Sequence, residues 1–338
     1  MAFDRKWARS LLETCRYTYA AGFNDALNAP DRKDALTWIK AAGELTQEPK
    51  TLRANATSVA CVVSYTDKNV VAYMGTKTQF DKPENAVESV ADWVKNVEAP
   101  QVPFRLTADQ LGLGSAGGQR DLGGRVHAGF LEELAAVQGS VVEELMKAGG
   151  KARPLYVTGH SQGGAEAALA TPAFLAGGFA VAETYTFAAP RAGNVAFVAT
   201  VPAAFPVHRI EFGDDIVPHV PPKLLDKSAS DIAGFLRRAG FLGKNVNALL
   251  DYVLSASGEL AFRPLGRLCY GSNKTKALRV DLSDAQDAEL FYDRVWSLAR
   301  HPDRWAEHHH LAGTSDETAA GAKGNYTALV SDFTLVEP

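Results

Sequence analysis

Cysteine is scarce in this chain and falls in no pattern: the three present, Cys15, Cys61 and Cys269, are odd in number and far apart. At most one bridge could form, which excludes a disulfide-stapled scaffold, and no C-x-x-C pair offers a thiolate metal site. Buried free thiols in a reducing compartment are expected. Runs of basic residues are missing as well. The 35 Lys and Arg are scattered against 39 Asp and Glu, for a net charge of −4, so neither nucleic acid nor an anionic membrane surface is an expected partner. Long apolar runs are also absent. The longest, residues 167–182, holds Pro172 and two glycines, which argues against a transmembrane segment. Met1 to Trp7 carries no apolar h-region, so a cytoplasmic location is expected. Internal repeats and interdomain linkers are lacking too. A single domain over residues 1–338 is the expectation, and a 46% hydrophobic fraction suffices for its core.

What the chain does have is one stretch around which the rest is organised. Leu155 to Thr158 is a short apolar, β-branched run that reads as a buried strand. Gly159-His160-Ser161-Gln162-Gly163 then turns the chain, and an alanine-rich helix former follows from Ala165. G-x-S-x-G between strand and helix is the nucleophile elbow of an α/β-hydrolase. It lifts a serine hydroxyl over a helix N-terminus, where developing negative charge is favoured.

Around the elbow, strands alternate with helices, which implies a mainly parallel central sheet flanked by helices. Residues 3–21 carry helical spacing with Trp7, Leu11, Cys15 and Thr18 on one face. Ser58 to Tyr65 and Val70 to Met74 read as a hairpin, and 79–97 as an amphipathic helix. Residues 111–124, with six glycines, read as a flexible loop. Val126 to Phe130 opens a further helix that Gly149-Gly150 stops. Glu183 to Ala188, Pro206 to Phe212 and Leu278 to Leu282 read as strands, the third of them as the last. Ser283 to Gln286 caps a helix running to about Arg300. A helical insertion is expected at 226–260, and a polar segment from Gly313 to Asn325 reads as a loop.

Acyl transfer by a serine needs a base within hydrogen-bond reach and an acid that orients the base. On this fold they follow in the order Ser, Asp or Glu, His. Asp215 ends a strand about fifty residues after Ser161, and His308-His309-His310 comes after the strands, so the order fits.

Several motifs resemble those of the class 3 (fungal-type) triacylglycerol lipases. Ala72-Tyr73-Met74-Gly75-Thr76 is similar to their F-R-G-[ST] segment, with Met74 in place of arginine. Asp92-Trp93-Val94-Lys95-Asn96 is similar to D-W-x-x-N, and Val126-His127-Ala128-Gly129-Phe130 to V-H-x-G-F. Thr158 to Gly164 resembles T-G-H-S-L-G-G, with Gln162 for leucine. Thr186 to Asn194 resembles T-F-G-x-P-R-V-G-N, and Asp215 to Pro222 resembles D-x-V-P-x-x-P-P.

The resemblance implies Ser161 as nucleophile, Asp215 as triad acid rather than Asp214, and an oxyanion hole from the backbone N–H groups of Gln162 and Thr76. The family places its histidine a few residues before a tyrosine. Here Glu307-His308 supplies the acidic-His pair, but the next tyrosine, Tyr326, is further on. His308 is the preferred base, with His309 and His310 as alternatives. His127 and His160 are expected to be structural. The histidine run lacks zinc-ligand spacing, so no metal is expected, and no cofactor is implied.

The expected activity is hydrolysis of acylglycerol esters through an acyl-serine intermediate, with transient contact at a lipid interface. Two alternatives stand beside it. One is an esterase for soluble or phenolic esters; the other is a catalytically silent hydrolase-fold protein that binds a lipid or a partner.

Overall fold

The computed structural model describes residues 3–23, 29–75, 100–114, 117–220, 262–283, 285–287, 289–290, 293–294, 297, 308–309 and 326–337. The expected 79–97 helix, the 226–260 insertion, the 313–325 segment, Thr76 and His310 lie outside them.

Strands β1 (Lys50–Arg53), β2 (Val59–Ser64), β3 (Asn69–Tyr73), β4 (Gln101–Thr107), β5 (Gln119–His127), β6 (Leu155–His160), β7 (Val181–Phe187), β8 (Gly193–Asn194), β9 (Val207–Phe212), β10 (Phe262–Arg263), β11 (Arg267–Ser272), β12 (Ala277–Leu282) and β13 (Thr334–Val336) form two sheets. The main sheet runs β1-β2-β3-β6-β7-β9-β11-β12-β13, and the smaller one β10-β8-β5-β4. Strands β3, β6, β7, β9 and β11 are mutually parallel; the β1-β2-β3 meander and the β11-β12 pair are antiparallel. This is the mainly parallel, helix-flanked sheet of the α/β-hydrolase fold.

The sheet is buried on both faces, and strand periodicity sorts side chains between two cores. In β2, Ala60 and Val62 face one core while Cys61 and Val63 face the other; in β3, Val71 and Tyr73 oppose Val70 and Ala72. Helices Ala128–Lys147 and Gln162–Ala176 close the first core with Leu134, Val137, Val141, Leu169 and Phe174. Helix Arg5–Phe23 closes the second with Leu11, Leu12 and Cys15, joined by Leu329 of the helix Tyr326–Asp332. All three cysteines are buried free thiols. Burial pushes the Cys15, Cys61 and Cys269 thiols up to about 12, which keeps them protonated and unreactive. No helix of the described residues is long and apolar enough to cross a membrane.

Three expectations need correction. The glycine-rich 111–124 segment is not loop throughout, because β5 begins at Gln119 and pairs with β4, a strand that composition does not announce. Gly124 has φ +77, and a Cβ there would strike the backbone of Phe197, so the glycine serves close packing within a strand. Nor is the Leu278 to Leu282 strand the last: β13 follows at the C-terminal side and pairs parallel to β12. The elbow helix begins at Gln162 rather than Ala165.

The N-terminal helix is integral to the second core. Truncating its fully buried Leu11 (Leu11→Ala) should therefore cost about 2–5 kcal/mol. Urea unfolding followed by far-UV circular dichroism measures this; a loss below about 0.5 kcal/mol would mean the helix is only loosely docked.

Candidate active site

Ser161 lies between β6 and the helix Gln162–Ala176 with φ 56 and ψ −130, a left-handed conformation for a residue bearing a Cβ. Such a backbone costs roughly 1–3 kcal/mol and persists only where its surroundings over-determine it. They do so here. The Ser161 N–H donates to the Phe187 carbonyl at 2.9 Å, and the Ser161 carbonyl accepts from Gly164 N–H at 2.9 Å. At Gly163 a Cβ would overlap the Tyr73 carbonyl, so the end of β3 can approach the elbow only because this residue is glycine.

His309 Nε2 lies 2.8 Å from Ser161 Oγ, and its Nδ1 lies 2.9 Å from Asp215 Oδ2. A carboxylate only accepts, so the imidazole proton sits on Nδ1 and Nε2 is free to accept from the serine hydroxyl. Asp215 is fully buried and takes two further donors: Tyr326 O–H to Oδ2 at 2.8 Å and Val217 N–H to Oδ1 at 3.0 Å. Burial, then the negative charge of Asp215, push the Tyr326 phenol well above its usual range, which keeps the donated proton on the ring.

His160 holds the base from behind. Its Nε2 is 2.8 Å from the His309 carbonyl, an atom that only accepts, so Nε2 carries the proton. Nδ1 is then an acceptor, filled by the Tyr19 hydroxyl at 3.1 Å. Helix Arg5–Phe23 thus reaches the site through one side chain. His127 is structural: it caps the helix Ala128–Lys147, with Nδ1 accepting from Phe130 N–H at 3.2 Å.

The preferred base needs correction. His308 is buried, but it points away from Ser161: its Nδ1 accepts the Asp214 N–H at 2.7 Å, and its ring stands edge-on to Phe212. The alternative, His309, is the histidine that meets both Ser161 and Asp215. Asp214 is partly exposed, its carboxylate 3.9 Å from His308 Nδ1, and it takes no part in the Ser161 chain of hydrogen bonds. Gln162 is half-buried at the first position of its helix. Thr76, the second expected oxyanion donor, lies outside the described residues.

Beneath the Asp215 loop sits a charge cluster that sequence reading did not find. Glu211 of β9 receives Arg209 and, at 2.6 Å, Arg294; Arg209 also lies 3.3 Å from Asp287. Arg294 Nε donates to the Gly213 carbonyl at 3.0 Å, and Arg191 donates to the His219 carbonyl at 3.0 Å. Burial alone would raise the Glu211 carboxyl, but Arg209 and Arg294 outweigh it and hold it well below the usual range. Burial, with Arg294 adding to it, drops His219 to about 4, so that imidazole is neutral at physiological pH. Glu211, His219 and Asp287 are close enough to share a cation. Their carboxylates are already taken by guanidinium groups, which a metal would have to displace.

An elbow serine, a histidine on it and an aspartate behind the histidine, in that chain order on this sheet, form the arrangement that serine hydrolysis on an α/β-hydrolase fold requires. Residues 71–225 match the family Lipase (class 3). A secreted mono- and diacylglycerol lipase 1 of Fusarium solani is 33% identical over 138 residues, 40% of this chain and 37% of that protein. A lipase of Rhizopus niveus is 37% identical over 115 residues, 30% of this chain and 28% of that protein. The chain thus spans about a third of the length of these relatives. Among solved structures, a deletion mutant of the Rhizomucor miehei lipase propeptide complex superposes with a TM-score of 0.48 at 19% identity, covering 79% of this chain and 66% of that one.

The geometry separates neighbours that the sequence leaves equivalent. His309→Ala and Asp215→Asn should each slow labelling by a serine-reactive phosphonate by about 10³-fold or more, whereas His308→Ala and Asp214→Asn should change it less than about tenfold. Labelling rates of folded variants test this, and the reverse ranking would mean that the two pairs are misassigned.

Proposed function

We propose that this protein is a serine carboxylic-ester hydrolase acting on acylglycerol esters. The observation that carries the reading is the continuous chain Ser161 Oγ to His309 to Asp215, with links of 2.8 and 2.9 Å. Class 3 lipase motifs on either side of it, and relatives whose names include mono- and diacylglycerol lipase, support the substrate class.

In this reading Ser161 Oγ attacks the ester carbonyl carbon while its proton passes to His309 Nε2. The resulting oxyanion is held by the backbone N–H of Gln162, at the positive end of its helix, and by that of Thr76. Collapse breaks the carbon–oxygen bond to the alcohol, which leaves with the proton from His309. A water molecule then repeats the sequence on the acyl-serine, giving the free acid and restoring Ser161. Asp215 keeps the Nδ1 proton in place throughout and stabilises the transient imidazolium; Tyr326 and Val217 hold the carboxylate still for that task.

Ser161→Ala should remove turnover of a p-nitrophenyl ester by about 10⁴-fold or more while leaving the circular dichroism spectrum unchanged. Across an acyl-chain series, kcat/KM should rise from acetate towards emulsified long-chain acylglycerols. A steady decline past short soluble esters would replace the lipase reading with that of a soluble esterase. Wild-type turnover in folded Ser161→Ala protein would remove the hydrolase reading altogether. Thr76→Ala should lower kcat by about tenfold to several hundredfold if its hydroxyl adds a donor to the oxyanion hole. An unchanged kcat would leave Thr76 a backbone role alone.

A further inference from the structure

Glu166 lies one turn into the elbow helix and is fully buried, in a helix whose other buried residues are mostly alanine and glycine. A carboxyl in such a place is costly unless paired. Its pairing is meagre. Oε1 accepts from Gln162 Nε2 at 3.1 Å, and Oε2 has no hydrogen-bond partner among the described residues. The titratable groups that face it are Tyr19 from the N-terminal helix, Tyr73 from the end of β3 and Glu133 from the helix Ala128–Lys147. None is a cation. Burial pushes the carboxyl well above its usual range; the Gln162 hydrogen bond opposes this, and Glu133 adds to it. A fully buried carboxyl with one amide donor and no cation facing it among the described residues favours the neutral acid, with Oε1 accepting from Gln162.

The place of this acid on the helix gives it a consequence for the chemistry. Gln162 directly follows the nucleophile, and its N–H faces the developing oxyanion in the mechanism above. Residues four apart on a helix are neighbours, about 5–6 Å between Cβ atoms. A carboxylate at Glu166 would set negative charge beside the helix N-terminus and oppose the oxyanion, whereas a neutral carboxyl does not. A unit charge within about 8 Å at the effective dielectric of a protein site changes a rate by about tenfold or more.

We infer that Glu166 is a positioning residue for acyl transfer: its uncharged carboxyl fixes the Gln162 side chain and leaves the helix N-terminus positive where the oxyanion forms. The inference rests on Ser161 and Gln162 having the roles given above. A raised carboxyl is neutral below its folded pKa and ionises as pH rises through it, so activity should be lost on the alkaline side.

The test uses the full chain with p-nitrophenyl butyrate, measuring kcat and KM from pH 6 to 10, with phosphonate titration to count competent serines. Glu166→Gln preserves the acceptor to Gln162 and cannot ionise. It should keep kcat within about threefold at pH 7 and lose the alkaline fall that the wild type shows. Glu166→Leu, similar in volume, should lower kcat about threefold to thirtyfold per titrated serine with little change in KM. If Glu166→Leu fails to fold, the two remaining pH profiles decide. Profiles of Glu166→Gln and wild type that superimpose, or an undiminished kcat in Glu166→Leu, would overturn the inference alone. A wild type that phosphonate does not label would overturn the hydrolase reading beneath it.

Discussion

The site depends on how His309 is held. Its ring is fixed at both nitrogens, by Ser161 Oγ and by Asp215 Oδ2, and its carbonyl is held by His160. The last of these links is the least obvious. His160 is the residue immediately before Ser161, so one short segment of chain presents the serine and anchors the main chain of His309, the pair proposed as nucleophile and base. The His309 carbonyl fixes the tautomer of His160, and the Tyr19 hydroxyl fills its other ring nitrogen. A rotation of the elbow therefore carries nucleophile and base together, which preserves their separation better than two independent loops would.

A second constraint acts from below. Asp215 must present a carboxylate to His309 from a fully buried position, and burial works against that charge. Three donors, from His309, Tyr326 and Val217, take its lone pairs. The same short stretch of backbone is tied to the buried ions beneath it: Arg294 holds both Glu211 on β9 and the Gly213 carbonyl, two residues ahead of the acid. With His219 neutral, Arg191, Arg209 and Arg294 face Glu211 and Asp287, an excess of one positive charge under the acid. Breaking one member would strand a buried partner, so the cluster resists piecemeal loss. Its effect is to fix the Asp215 turn, since Arg294 is shared between Glu211 and the Gly213 carbonyl, and Arg191 between the His219 ring and the His219 carbonyl.

How much of this was legible in the sequence follows from which forces are local. The elbow was legible because its requirements are local: a buried strand, glycine where backbones touch, and a helix former. The fold class followed from the elbow and strand alternation, whereas the preference for Asp215 over Asp214 came from the resemblance to class 3 lipase motifs, with which chain order agreed. The choice among three consecutive histidines was not legible. Successive residues on a helix point about 100° apart, so only tertiary context decides which ring meets Ser161; here His308 turns to Phe212 and the Asp214 N–H while His309 turns to the serine. The acidic residue before His308 suggested a pairing that chain connectivity does not provide. Strand β5 was hidden by Gly123 and Gly124, the second of which serves close packing, β4 by Pro103 within its run, and β13 by its three-residue length. The charge cluster left a faint trace, Arg209 and Glu211 two apart on one face of a buried strand, but its remaining members come from distant segments.

Three buried carboxyls near the elbow show what governs charge in such an interior. Glu211 meets two guanidinium groups and keeps its charge against burial. Asp215 meets three hydrogen-bond donors and presents its oxygens to the base. Glu166 meets a single amide, and burial raises its carboxyl well above the usual range. The residue types are nearly the same, and each lies in or beside an element that the sequence identifies. What differs is the number and charge of the groups that the fold brings to each, and that number sets whether a carboxyl anchors a cation, orients an imidazole or stays neutral beside a helix N-terminus. A charge-conserving exchange among these positions would keep the composition of the chain and lose the division of roles. The constraint on the site is therefore carried by the placement of donors as much as by the triad residues.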